Sequence, residues 1–229
     1  MSIRSFDSSG ELIASAVSDF EALATELLSS KSEIKVLLTG GTLGIEFVAV
    51  MGKCNLDWSK IWLMFSDERF VGLEHPDRNE HQAISVWPEL AGLLNRFPAN
   101  DVKLDGAREI VESEFENKFG AVEDSSTVFD LTILGMGPDA HVASLFPDHN
   151  AQGGWIIAES DSPKPPSERL SLSYAAINRS ERIWFVAAGD SKAWAVAQSL
   201  DENSGLPAAK VRGALDTVWY LDQEITDAL

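Results

Sequence analysis

Five short runs rich in β-branched residues and leucine alternate with stretches of helical periodicity, and this alternation constrains the fold most. The runs are IKVLLTGG (34–41), KIWLMFSDERFV (60–71), VFDLTILGMG (128–137), RIWFVAAGD (182–190) and DTVWYLDQEI (216–225). Before them, ELIASAVSDFEALATELLSS (11–30) sets Leu12, Ala16, Phe20, Leu23 and Leu27 at helical spacing, with Ser8 or Ser9 available as a cap. TLGIEFVAVMGK reads as a helix stopped by Gly52, and NEHQAISVWPELAGLL (79–94) as one broken near Pro88. GAREIVESEFENKFGAV (106–122) and SKAWAVAQSL (191–200) read as two more, and HVASLF is expected to open a helix after the third strand. The proline-rich stretch ESDSPKPPSERLSLSY (159–174) leads into a further short strand. Strands alternating with helices predict an α/β fold with a mostly parallel sheet flanked by helices. No repeat, low-complexity tract or linker divides the 229 residues, so a single domain over 1–229 is expected.

In such sheets ligands bind beyond the carboxyl ends of the strands, and the chemistry-bearing residues fall there. LTGGTLG offers Gly40, Gly41 and Thr42 at a strand-to-helix turn, where exposed N–H groups and the helix dipole favour an anion. It lacks the ending of a P-loop and the spacing of a dinucleotide fingerprint, and a plain tight turn is the other reading. SDER places Asp67, Glu68 and Arg69 at a strand end, either to fork a guanidinium onto a phosphate or carboxylate or as a surface ion-pair cluster. Lys164 and Arg169 share a loop stiffened by Pro163, Pro165 and Pro166, which is a cationic binding loop or a solvated one. Gly189 and Lys192 follow the fourth core strand. His141 is the sharpest candidate, because an imidazole can act as a general base near neutral pH. An isolated histidine is more often a cap or core residue, but the Gly135–Gly137 turn and nearby Asp139 favour a functional one.

Composition sharpens these readings. The 36 acids and 18 bases leave a net charge of −18, which repels nucleic acid and anionic membranes at long range. A bound phosphate must therefore be held by locally gathered Lys, Arg and N–H groups. The single cysteine, Cys54, excludes an intramolecular disulfide framework and suits a reducing cytoplasm. No apolar run approaches the roughly 20 residues of a membrane span, and the N-terminus lacks the pattern of a signal peptide. His75, His81 and His149 with one cysteine give no zinc pattern. The seven tryptophans read as packing rather than a base-stacking platform.

Taken in order, LTGGT, SDERFV, LGMGPDAHVASLFP, PKPPSER, GDSKA, LPAAKV and VWYLD resemble the motifs of the 6-phosphogluconolactonase family over nearly the whole chain. The resemblance implies a Rossmann-like α/β fold shared with sugar-phosphate deaminases and pentose-phosphate isomerases. It implies hydrolysis of 6-phospho-D-glucono-1,5-lactone to 6-phospho-D-gluconate, the second step of the oxidative pentose phosphate pathway. No metal or organic cofactor is implied. The expected partner is a phosphorylated sugar lactone, with no nucleic acid or membrane, in a cytoplasmic monomer or weak homo-oligomer. His141 would then activate water, with Asp67 and Arg69 in the catalytic set and Asp67 bonding sugar hydroxyls or orienting Arg69. Gly40, Gly41, Thr42, Arg69 and Arg169 would hold the phosphate, helped by Lys164 or Lys192, while the turn containing Gly137 and Asp139 meets the sugar. Thr42-Leu43-Gly44 replaces the family's usual Ser-Thr-Pro, and Ala140 replaces a usual glycine. If residue 140 needs positive φ, alanine costs on the order of 1 kcal/mol there. The rivals are an amino-sugar-phosphate deaminase/isomerase, which wants an acid where Ala143-Ser144-Leu145-Phe146-Pro147 offers none, and a non-catalytic sugar-phosphate sensor.

Overall fold

Strand β1 (Ser2–Phe6) leads into helix α1 (Ser9–Leu28), whose N-terminus is capped by the Ser8 hydroxyl accepting from the Glu11 amide. In this computed structural model, residues 1–124, 126–149, 151, 153–201 and 203–229 are described. Strand β2 (Ile34–Leu38), helix α2 (Gly41–Met51) and strand β3 (Ile61–Phe65) follow. Next come the short strand β4 (Asp67–Arg69), helix α3 (Asn79–Val86), helix α4 (Leu104–Phe119) and strand β5 (Phe129–Leu134). Strands β6 (Ile156–Glu159) and β7 (Arg169–Leu172) precede the helical turn α5 (Tyr174–Ile177) and strand β8 (Ser180–Ala187). Helix α6 (Ala193–Ser199), strand β9 (Asp216–Asp222) and the turn α7 (Gln223–Thr226) complete the order.

Six strands form one sheet in the order β1-β9-β8-β5-β2-β3, and every pairing in it is parallel. A parallel sheet is buried on both faces, and the strands show it. On β8, Ile183 and Phe185 enter one core while Trp184 and Val186 enter the other. One core is built with α1, α2 and Trp87, the other with α4, α6 and the second sheet. That second sheet is antiparallel, three-stranded, and ordered β4-β7-β6. No helix among the described residues is long and apolar enough to cross a membrane.

Several expectations need correction. KIWLMFSDERFV is two strands in two sheets, not one. The Ser66 amide still donates to Leu38 O of the main sheet, while the Ser66 carbonyl accepts from Leu172 at the end of β7. HVASLF opens no helix: Val142 and Leu145 form an isolated antiparallel bridge around Ala143, whose φ is +50°. A left-handed residue inside a tight bridge is incompatible with a helical start. The closing strand stops at Asp222, whose side chain accepts from the Ile225 amide and caps a helical turn. Strands β1 and β6 went unanticipated. Of the tryptophans, Trp155 and Trp219 are fully buried, whereas Trp194 is 57% exposed.

Candidate functional site

The carboxyl ends of β2, β5 and β8 open into a cavity of about 650 Å³. Gly40, Gly41, Thr42, Asp67, Arg69, Gly137, His141, Lys164, Arg169 and Lys192 all line it. Asp139 stands apart from the lining and reaches the site through His141.

The histidine loop is built backward from its backbone. Ala140 adopts φ +66°, so the alanine does sit in the left-handed region. Its amide donates to Gly137 O and its carbonyl accepts from the Ala208 amide, which fixes the turn. Gly137 is required by close approach, since a Cβ there would lie 2.2 Å from the His141 ring. The imidazole therefore lies against bare backbone, with Phe146 packed beside it at 4.8 Å between centroids. Nδ1 of His141 meets Asp139 Oδ1 at 2.6 Å. Burial would raise the Asp139 carboxyl, but the bond to His141 and its charge outweigh burial and hold it down at about 2. An ionised Asp139 accepts Nδ1–H, which leaves Nε2 as the ring nitrogen that Asp139 does not engage.

Cations gather on the second sheet and the loops beside it. Arg69 on β4 and Arg169 on β7 are direct cross-strand partners. Like charges so opposed repel, and the neighbouring Asp67, Glu68 and Asp77 offset part of this. Burial, followed by such neighbouring charges as Arg69, lowers the Arg169 guanidinium, against the opposing pull of Asp67. Burial and then Lys164 lower Lys192. Arg169 is more than a cavity cation: Nε donates to Pro166 O at 2.8 Å and Nη2 to Lys164 O at 3.0 Å, bracing the proline-rich loop. Gly41, at φ +75°, allows the turn that opens α2 toward the cavity. Thr39 ties this loop to the next, its hydroxyl accepting from the Gly135 amide at 3.0 Å.

Asp67 does not hold Arg69 among the described bonds. Its carboxylate accepts from Ser144 Oγ at 2.6 Å, while Arg69 donates to Asp77 O at 3.0 Å and to Asn79 Oδ1. Asn79 and Ser144 are the residues that sequence reasoning missed. Asn79 looked like the polar start of a helix, and Ser144 lay in a stretch read as helix. Among the described residues no cluster of three or more His, Cys, Asp and Glu could hold a metal.

A parallel α/β sheet with a histidine–carboxylate pair and a cavity lined by Arg69, Lys164, Arg169 and Lys192 at its carboxyl edge defines a Rossmann-like protein with room for a small molecule at its strand ends. The profile of the glucosamine-6-phosphate isomerases/6-phosphogluconolactonase family matches residues 7–219. A 6-phosphogluconolactonase of Mycobacterium leprae is 30% identical, over 97% of this chain and 96% of that protein. One from Streptomyces coelicolor is 33% identical over 91% and 90%. The crystal structure of a 6-phosphogluconolactonase from Thermotoga maritima superposes with a TM-score of 0.85 at 26% identity, covering 97% of this chain and all of the other. The chain belongs to the glucosamine-6-phosphate isomerase/6-phosphogluconolactonase family.

Proposed function

We propose that this protein hydrolyses 6-phospho-D-glucono-1,5-lactone to 6-phospho-D-gluconate, the second step of the oxidative pentose phosphate pathway. The observation that carries the reading is the His141–Asp139 pair on the cavity that also gathers Arg69, Arg169 and Lys192. Such a site offers a base to one end of a substrate and an anion clamp to the other. The names of the relatives support the same choice of substrate.

In this mechanism Arg169, Lys192 and Lys164 hold the phosphate with the Gly40–Gly41 amides and Thr42, and Arg69 closes on it from β4. Asp67 bonds the sugar hydroxyls, and the Gly137 turn lies against the ring. Nε2 of His141 takes a proton from water as the water oxygen attacks the lactone carbonyl carbon. Asp139 steadies the imidazolium that results. Collapse of the tetrahedral intermediate breaks the bond to the ring oxygen, which recovers the proton from Nε2 and leaves as a hydroxyl. A cytoplasmic setting belongs to this proposal, consistent with the lone Cys54, whose thiol is pushed up to about 11 by burial and then by Glu21.

The test is hydrolysis of freshly generated lactone against the spontaneous rate. Wild type is expected to accelerate it strongly, and His141→Ala to lose about 10²–10⁴-fold in kcat. A folded His141→Ala protein with undiminished turnover would remove the base from the mechanism.

A further inference from the structure

Asn79 is 1% exposed and joins three parts of the site that are far apart in sequence. Its Oδ1 accepts from Arg69 Nη1, and its Nδ2 donates to Asp67 O at 3.0 Å. Its side chain also lies against Gly40, where a Cβ would come within 2.0 Å of Oδ1. The backbone of Asn79 is fixed independently, its amide donating to Glu68 Oε1 at 2.7 Å. So both polar ends of the carboxamide are used, and the rigid frame around it leaves the arginine little choice of direction.

We infer that Asn79 is a positioning residue that aims the Arg69 guanidinium into the anion pocket. Arg69 faces the like-charged Arg169 across the strand pair. Without an acceptor on its near side, a long cationic side chain in that position swings away from its neighbour and toward solvent, where the surface is rich in acids. Asn79 Oδ1 and Asp77 O supply neutral acceptors that hold Arg69 inward without neutralising its charge. A carboxylate in the place of Asn79 would hold Arg69 as firmly but cancel the charge that the anion needs. The amide is therefore the side chain that solves both demands.

This inference rests on the anion-binding part of the proposed function, and a double-mutant cycle tests it. Wild type, Asn79→Ala, Arg69→Ala and the double variant are compared in three ways. These are the Kd of inorganic phosphate by titration calorimetry, kcat and KM on the lactone, and the thermal midpoint. Asn79→Ala is expected to weaken phosphate roughly fivefold to tenfold and to raise KM similarly, with kcat within about threefold. In the Arg69→Ala background the same change should cost less than about twofold, because its effect runs through Arg69. Equal losses in both backgrounds, no loss in Asn79→Ala, or no phosphate binding by wild type would overturn the inference. Asn79→Ser runs the same cycle should the alanine variant fail to fold. A wild type that binds phosphate in this pattern but turns over no lactone would sink the lactonase reading and leave the role of Asn79 standing.

Discussion

The 2.6 Å contact between Asp139 and His141 assigns a direction to the imidazole. With Asp139 ionised, Nδ1 carries the proton of this bond, and Nε2 is the nitrogen that the proposed mechanism uses as base. Asp139→Asn keeps the shape and removes the charge, so on the proposed mechanism kcat should fall by about 10²–10⁴-fold with KM little changed, because the groups proposed to hold the phosphate lie elsewhere. Steady-state kinetics on the lactone checks this. The same substitution carries a pH signature. The Asp139 carboxyl is depressed in the folded protein to about 2 from an ordinary 3.8, so its stabilisation is complete above the ordinary value and fades as pH falls toward 2. The gap in thermal midpoint between wild type and Asp139→Asn should be present at about pH 5 and close as pH falls from about 4 toward about 2. It should be small throughout, since the Asp139 side chain is 41% exposed and solvent screens it. Next door, Ala140 at φ +66° costs about 1 kcal/mol to hold the turn that carries the pair.

Strand β4 and helix α3 act as one element, joined by a buried carboxylate. Helix α3 lacks a side-chain cap from Arg78, and Glu68 supplies the acceptors instead, taking the Asn79 amide at 2.7 Å and the Glu80 amide at 2.8 Å. A carboxyl oxygen at a helix N-terminus also meets the favourable end of the dipole, while burial and then Glu80 push the Glu68 carboxyl up to about 8. Glu80 in turn is held by Arg78 and Arg96. Glu68→Gln would aim an N–H₂ group at backbone donors, and is expected to cost about 2–4 kcal/mol in denaturant unfolding. IKVLL and RIWFV announce themselves because both faces of a central parallel strand are apolar. Strand β1 does not, since Ser2, Ile3, Arg4 and Ser5 are exposed and only the pairing with β9 makes it a strand. Arg69, His141 and Lys192 were legible as cavity residues because they follow the carboxyl ends of strands. Asn79 and Ser144 were not, because their meaning lies in contacts with Asp67 that sequence order does not display.

Across the whole molecule, a net charge of −18 surrounds a pocket that gathers Arg69, Lys164, Arg169 and Lys192. Four of the 18 bases line this cavity beside Glu46, Asp67, Asp222 and Glu224, and Arg69 and Arg169 face each other as strand partners, an arrangement that a bound anion would relieve. Binding should therefore stabilise the fold visibly. At a concentration of 6-phosphogluconate 100 times its Kd, stability should rise by about 2.7 kcal/mol. For a chain of this size the thermal midpoint should move up by roughly 5–10 °C. Gluconate, which lacks the phosphate, should shift it far less in the same calorimetric scan. The order of the main sheet carries a different consequence, one for biosynthesis. Of the strands in this sheet β1 is translated before the others, yet its one neighbour, β9, is translated after them. The nascent protein must carry β1 unpaired while β8, β5, β2 and β3 are made. A ribosome stalled before Asp216 would hold a chain in which β1 and the β9-facing edge of β8 are unpaired, free to pair with the wrong molecule.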